Sequence, residues 1–170
     1  MGFTDSLKLA WNAMAVDFRS GSQGNDAAAT AQHVMSGLNA GVHDSASVAM
    51  ANGQRFINSQ LAAAGAENGI SLGNAIHAIG DKYSPAHQGA DWDGFSAIGI
   101  LGTLKHVFAD TFPGLENISG AYSESRAAIE AARGGSPQPY LNSPYNIVRP
   151  STGSSSGADG SLSGTGITPK

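Results

Sequence analysis

Five side chains between residues 77 and 110 combine imidazole and carboxylate groups in a spacing suited to metal ions. His77 and Asp81 are four residues apart, and so are His106 and Asp110. On a helix this spacing places both side chains of a pair on one face, so each pair forms half of a metal site. His87 follows a Ser-Pro step that should end the first helix. Together these residues predict a site for one or two zinc-like ions.

The order of these residues resembles the zinc-dependent phospholipase C and S1/P1 nuclease superfamily. The shared pattern is H-x3-D-x5-H, ending in P-x-H, with a second H-x3-D downstream. The resemblance implies that His77 and Asp81 serve a paired-metal centre, and that His87, His106 and Asp110 bind a separate ion. Phospholipases of the family usually have Glu at the last position and nucleases often have Asp. Asp110 therefore slightly favours the nuclease pattern.

The same superfamily supplies an Asp and then a His upstream of this pattern. Asp17 and His33 fit that spacing, with Asp26 and His43 as alternatives. Asp26 is also suited to the N-terminus of a helix, where the helix dipole favours a carboxylate. The third metal of the superfamily uses a free N-terminal amine and a nearby histidine, but no histidine precedes His33. We therefore expect two zinc ions, and a third only with an unusual ligand.

The resemblance implies a zinc-dependent phosphodiesterase that uses metal-activated water. Divalent ions neutralise phosphate charge and lower the pKa of a bound water, so no nucleophilic side chain is required. The chain has no cysteine to act as one. Asp17 and Asp81 are the predicted catalytic carboxylates, with Asp17 orienting or deprotonating the water. Lys82, Lys105 and Arg55 are candidates for contacting the phosphate.

The substrate stays open between a phospholipid and single-stranded nucleic acid. Apolar residues between 95 and 108 suit a lipid-binding rim, whereas Trp92 and Tyr83 are the candidates for base stacking. A net charge of −4 gives no overall attraction to nucleic acid and slightly favours the lipid. A hypothesis of another class is a non-catalytic helical interaction module, in which a closed shell of four ligands holds a structural ion.

A second, looser resemblance concerns the origin of such a domain. The segments HVMSG and LGNAIHAIGDKYSPAH look like C-terminal toxin domains of Rhs-type polymorphic toxins. This implies a domain that is secreted, or delivered by a bacterial secretion system, as part of a larger chain, and an immunity protein as partner. The N-terminus lacks signal-peptide features, and no apolar stretch approaches the roughly 20 residues of a transmembrane segment.

Helical periodicity runs through most of the chain and predicts an all-α fold. We expect a single helical hydrolase domain over residues 1–133, with about five to six helices and the metal site between them. In the first helix Leu7, Trp11, Met14 and Phe18 are the predicted core face. The expected helices are residues 5–18, 26–37, 45–64, 71–83, 94–111 and 115–133.

Beyond residue 133 the composition changes to Pro, Ser, Gly and Thr. Such sequence buries too little apolar surface to offset its ordering entropy, so residues 134–170 are predicted to form an extended or disordered tail. Residues 137–150 include Tyr140, Tyr145 and Ile147, and the alternative for them is a strap that lies along the domain.

Overall fold

A computed structural model of the chain describes residues 3–17, 26–35, 38–39, 42–43, 45–64, 69–91 and 114–148. Within these ranges the protein is a single helical domain, which confirms the predicted all-α fold. A two-residue antiparallel pair joins β1 (Leu38–Asn39) to β2 (Val42–His43). The helices are α1 (Phe3–Met14), α2 (Ala27–Gln32), α3 (Ala46–Ala64), α4 (Gly69–Tyr83), α5 (Leu115–Arg133) and α6 (Gln138–Leu141). The helix predicted at residues 94–111 lies outside the described residues.

Helix α4 is the centre of the domain and packs against α1, α3 and α5. Its apolar positions Leu72, Ala75 and Ile79 recur at helical spacing and are buried. Gly73 lies on the face towards α1, where an added Cβ would be 2.5 Å from the Cβ of Asn12. The missing side chain therefore lets α1 cross closely over α4. None of the helices in the described ranges is long and apolar enough to cross a membrane.

The core face predicted for α1 is wrong. Leu7, Trp11 and Met14 are 54%, 70% and 57% exposed. Leu9 is buried instead, and so is Val16 in the turn that follows α1. The buried face of α1 therefore includes the small and polar residues that contact Gly73. It is not made of the largest apolar side chains alone. Phe18 lies outside the described residues.

Helix α2 is shorter than predicted. It begins after Asp26, whose carboxylate accepts hydrogen bonds of 2.9 Å from the backbone N–H groups of Ala28 and Ala29. It ends at Gln32 because Val34, two residues later, has a positive φ of 55° that no helix continues. Residues 33–35, which were predicted to continue the helix, are therefore not helical.

The segment after α5 packs on the helical domain as far as Asn146, which accepts a hydrogen bond from Asn58 of α3. Tyr140 and Asn146 are 1% and 2% exposed. Of the two alternatives for residues 137–150, the described part therefore follows the one that lies along the domain, with α6 as a short helix.

A buried polar network fastens this segment to the helices. The Lys82 ammonium donates to both carboxylate oxygens of Glu124 at 3.0 Å, to Gln54 Oε1 at 2.8 Å and to the backbone oxygen of Tyr145 at 2.8 Å. The Tyr140 hydroxyl also donates to Glu124. Because the three N–H groups of Lys82 face these three partners, Lys82 is not available to a phosphate, and that candidate role is wrong.

Candidate metal site

The ends of three helices bring five of the predicted ligands together. Asp17 lies in the turn that follows α1, and His33 lies directly after α2. His77 and Asp81 project from one face of α4, and His87 lies in the turn beyond it. The four-residue spacing on α4 and the helix end at Tyr83 are the local features that the sequence predicted for this region.

Three ligand atoms form a nearly equilateral triangle. His33 Nδ1 and His77 Nε2 lie 2.9 Å and 3.0 Å from Asp81 Oδ2, and 3.1 Å from each other. Ligand atoms bonded to one zinc ion in a tetrahedral shell are separated by roughly 3.3–3.6 Å, given bonds of about 2.0–2.2 Å. A small outward movement of these side chains would therefore admit an ion.

Asp17 and His87 flank this triangle on two sides. Asp17 Oδ1 lies 3.6 Å from His77 Nε2 and 3.9 Å from His33 Nδ1. His87 Nδ1 lies 3.6 Å from Asp81 Oδ2 and donates to the backbone oxygen of His33 at 2.8 Å. The residues form two overlapping groups, Asp17 with His33 and His77, and His33 with Asp81 and His87. Each group can hold a metal ion, and the second is largely buried.

The charges within the cluster favour an ionised Asp81. Burial alone would raise the pKa of the Asp81 carboxyl, but the neighbouring His77 and His87 and hydrogen bonds from His33 and His77 hold it well below 3.8. Burial also lowers the pKa of His77, yet Asp81 and Asp17 outweigh it and raise that pKa above 6.5. The cluster therefore has a carboxylate that attracts positive charge at neutral pH.

The arrangement of the ring nitrogens fits a shared cation. His33 Nδ1 and His77 Nε2 face each other at 3.1 Å, so two bare lone pairs would repel unless a proton or an ion lies between them. The other nitrogen of the His33 ring, Nε2, is buried and has no hydrogen-bond partner among the described residues. Since the chain has no cysteine, all of its ligands are nitrogen and oxygen atoms, as zinc accepts in hydrolytic sites.

The structure describes only some of the other candidate ligands. Asp26 is the N-cap of α2, so its carboxylate is committed to backbone N–H groups. The backbone of His43 pairs with Leu38 in the small sheet. Asp17 and His33 lie at the cluster, whereas the side chain of His43 is outside the described part of the chain. His106 and Asp110, which the resemblance groups with His87, lie outside the described residues.

Two candidate substrate contacts in the described part of the chain, Tyr83 and Arg55, interact with other residues. Tyr83 lies beside Glu124 in the α4–α5 interface, where burial and the Glu124 charge raise the pKa of its hydroxyl. Arg55 is exposed on α3 and donates to Asn52 Oδ1 at 2.8 Å. Trp92, Lys105 and the apolar residues between 95 and 108 lie outside the described residues.

The turn that connects His33 to His87 was not predicted from the sequence. Residues 33–37 were expected to be helical, whereas the backbone oxygens of His33 and Val34 accept hydrogen bonds from the turn that follows α4. A glycine or asparagine after His33 would have signalled a left-handed turn, but the residue is valine, so the sequence had no local signal for it.

No protein-family model matches the chain, and no curated protein or solved structure matches it either. The interpretation of the cluster therefore depends on its own geometry.

Proposed function

We propose that the protein is a metal-dependent phosphoester hydrolase of the phospholipase C type, with zinc as its metal. The observation that carries this proposal is the convergence of His33 Nδ1, His77 Nε2 and Asp81 Oδ2 within 3.1 Å of one another. These are the ligand types found in hydrolytic zinc sites, and they come from two parts of the fold, α4 and the end of α2.

Solvent reaches the cluster from the side of Asp17. The Asp17 side chain is 49% exposed, whereas the side chains of His33, His77 and Asp81 are 6%, 10% and 14% exposed. A catalytic zinc keeps one position open to water or substrate, while a structural zinc is enclosed by four protein ligands. An exposed carboxylate at the rim supports the catalytic alternative.

The residues of the cluster have separable roles in this proposal. A bound divalent ion would neutralise phosphate charge and make water more acidic. His33 Nδ1, His77 Nε2 and Asp81 Oδ2 point to one position and would be the ligands of the ion. Asp17, as the exposed carboxylate, would accept a proton from the attacking water.

The number of ions follows from how the ligands are shared. His33 belongs to both groups of candidate ligands, and one ring nitrogen binds one ion. The cluster formed by the described residues is therefore assigned one zinc. The second zinc is assigned to His87 with His106 and Asp110, as the resemblance implies.

A phospholipid is the proposed substrate class. The net charge of −4 gives no general attraction to the phosphates of nucleic acid. The position of Tyr83 against Glu124 also removes one candidate platform for base stacking. Cleavage of single-stranded nucleic acid is the alternative within the same chemistry.

A structural ion is the alternative of a different class. It is favoured by the burial of His33 and His87, which are 5% and 4% exposed. In that case a non-catalytic module would retain its metal firmly and hydrolyse no phosphodiester.

The test compares metal content and turnover in the whole chain. We expect the wild type to retain zinc by mass spectrometry and to hydrolyse p-nitrophenyl phosphorylcholine faster than bis(p-nitrophenyl) phosphate, in a manner that a chelator abolishes. Asp81→Asn should lose both properties. Glu130→Gln is the matched control, because it makes the same change in a carboxylate that is 61% exposed and pairs with Arg126 on α5.

The other possible results favour one of the alternative functions or contradict the proposal. Zinc retention without turnover of either substrate would indicate the structural ion. Faster turnover of the simple diester, with cleavage of single-stranded DNA, would indicate the nuclease. A zinc-free and inactive wild type would contradict the metal-dependent hydrolase altogether.

A further inference from the structure

The residue that follows His33 has a strained backbone. Val34 has a φ of 55°, in the left-handed region that β-branched residues rarely adopt. It is also fully buried. Backbone strain of this kind persists only where the surrounding structure enforces it, and it is concentrated at functional sites.

Two glycines hold Val34 in this conformation. Gly53 on α3 leaves the space that the valine side chain occupies, since an added Cβ would lie 2.8 Å from both Val34 methyl carbons. Gly89, in the turn beyond α4, donates its backbone N–H to the Val34 oxygen at 2.7 Å. The side chain of Val34 is therefore fixed by α3, and its carbonyl group is fixed by the turn beyond α4.

The strained turn directs two successive carbonyl groups towards the turn beyond α4. The His33 oxygen accepts from His87 Nδ1 at 2.8 Å, and the Val34 oxygen accepts from Gly89. The φ angle of Val34 sets the relative direction of these two carbonyls. Because a carbonyl only accepts, the proton of a neutral His87 ring must lie on Nδ1, which leaves the lone pair on Nε2.

We propose that Val34 is a positioning residue for the metal cluster. Packed against Gly53, it holds the His33 ring beside His77 and Asp81, and it presents the His33 carbonyl that fixes the orientation and tautomer of His87. Hydrogen bonds from a ring nitrogen to a backbone carbonyl have this function around protein-bound metals. The inference rests on the proposed function in one respect, which is that the ligand of the positioned rings is a metal ion.

The experiment displaces Val34 without touching a ligand. Gly53→Ala adds a Cβ where the Val34 methyl groups lie. Ala128→Val is the control, because it also adds carbon atoms at a fully buried position, on α5, which contributes none of the clustered residues. Two quantities are measured in each purified chain: the His87 tautomer, from long-range 15N–1H spectra of the metal-free protein at pH ~8, and the zinc affinity.

We expect wild-type His87 to carry its proton on Nδ1. Gly53→Ala should lose that preference and bind zinc about 10- to 100-fold more weakly. Ala128→Val, at a similar loss of melting temperature, should keep both properties. If Gly53→Ala does not fold, Val34→Gly replaces it, since glycine samples both signs of φ and should release the same turn.

The proposal is overturned by any of three results. These are a wild-type His87 protonated on Nε2, a folded Gly53→Ala or Val34→Gly with unchanged tautomer and affinity, or equal losses in Ala128→Val. A wild type that binds no zinc would end the proposed function instead, and the tautomer comparison in the metal-free protein would still decide the role of Val34.

Discussion

Two consecutive residues of α4 enter two buried polar clusters that differ in their balance of charge. Lys82 faces Glu124, and its ammonium also donates to Gln54 and to the Tyr145 backbone oxygen. Asp81 faces the imidazoles of His33 and His77. The Lys82 network is neutral and its donors match its acceptors, whereas the Asp81 cluster becomes neutral only by binding protons or a cation.

This difference assigns a structural role to the Lys82 network and a functional role to the Asp81 cluster of the same helix. A buried ion pair whose hydrogen bonds are satisfied offers no group for binding a ligand. It fixes the packing of α4 with α5 and with the segment after α5. The imidazole cluster has lone pairs that converge on one point next to an exposed carboxylate. A binding or catalytic role is therefore expected on the Asp81 side.

The largest expected effect comes from breaking the balanced network. Lys82→Met leaves the Glu124 carboxylate buried without its cation, so the free energy of unfolding should fall by about 3–5 kcal/mol. Urea unfolding followed by circular dichroism measures this loss, which should be the same with and without chelator. Lys8→Met, at an exposed position of α1, is the matched control and should leave stability unchanged. A loss that zinc reverses would contradict the purely structural role of Lys82.

A substitution of Asp81 should change stability only by removing the stabilisation that bound zinc provides. Zinc at a thousandfold excess over its Kd should stabilise the wild type by about 4 kcal/mol, because the ion binds only the folded state. Asp81→Asn should show no stabilisation at the same zinc concentration, while Lys82→Met should keep it. Thermal unfolding across a zinc titration measures both. Equal stabilisation of wild type and Asp81→Asn would show that the ion binds elsewhere.

The smallest effect is a difference in pH dependence between the metal-free and zinc-bound protein. The pKa of His77 is raised above 6.5, so its contribution to stability is complete below that pH and is lost as pH rises through the raised value. The pKa of Asp81 is lowered, so its contribution is present above 3.8 and is lost as pH falls through the lowered value. Zinc needs deprotonated ligands and binds more tightly as pH rises.

Melting temperatures between pH ~5 and ~8 test this sign difference. With chelator the wild type should become less stable as pH rises, relative to His77→Gln, which lacks the titrating ring. With zinc the added stability of the wild type should instead grow with pH. The same direction in both conditions would mean that protons and zinc do not compete for one site.

The helices with strong periodicity were predictable because their signals are local. Helix α5 runs from Leu115 to Arg133 as expected, and α4 ends at Tyr83, before the Ser-Pro step. The four-residue spacing of His77 and Asp81 also placed both side chains on one face of α4. These features depend on helical period and on proline, which act within a few residues.

The wrong predictions concern contacts between elements. The core face of α1 was misplaced because more than one side of this helix carries apolar residues, and the side with Asn12 and Ala13 packs against Gly73 of α4. Helix α2 was predicted too long because the end at Gln32 depends on Val34, whose conformation is enforced by Gly53 on another helix. No local pattern contains that information.

The sequence by itself determined the helical class, most helix positions and the residue types able to bind a metal, since periodicity and side-chain chemistry are properties of short segments. Only the tertiary structure decided that Asp17, His33, His77, Asp81 and His87 lie together, and that Lys82 is held by Glu124. The ligands come from the ends of different helices, and their approach is fixed by the crossing of α1 on α4 and by the strained turn at Val34. Such long-range packing is a property of the whole fold.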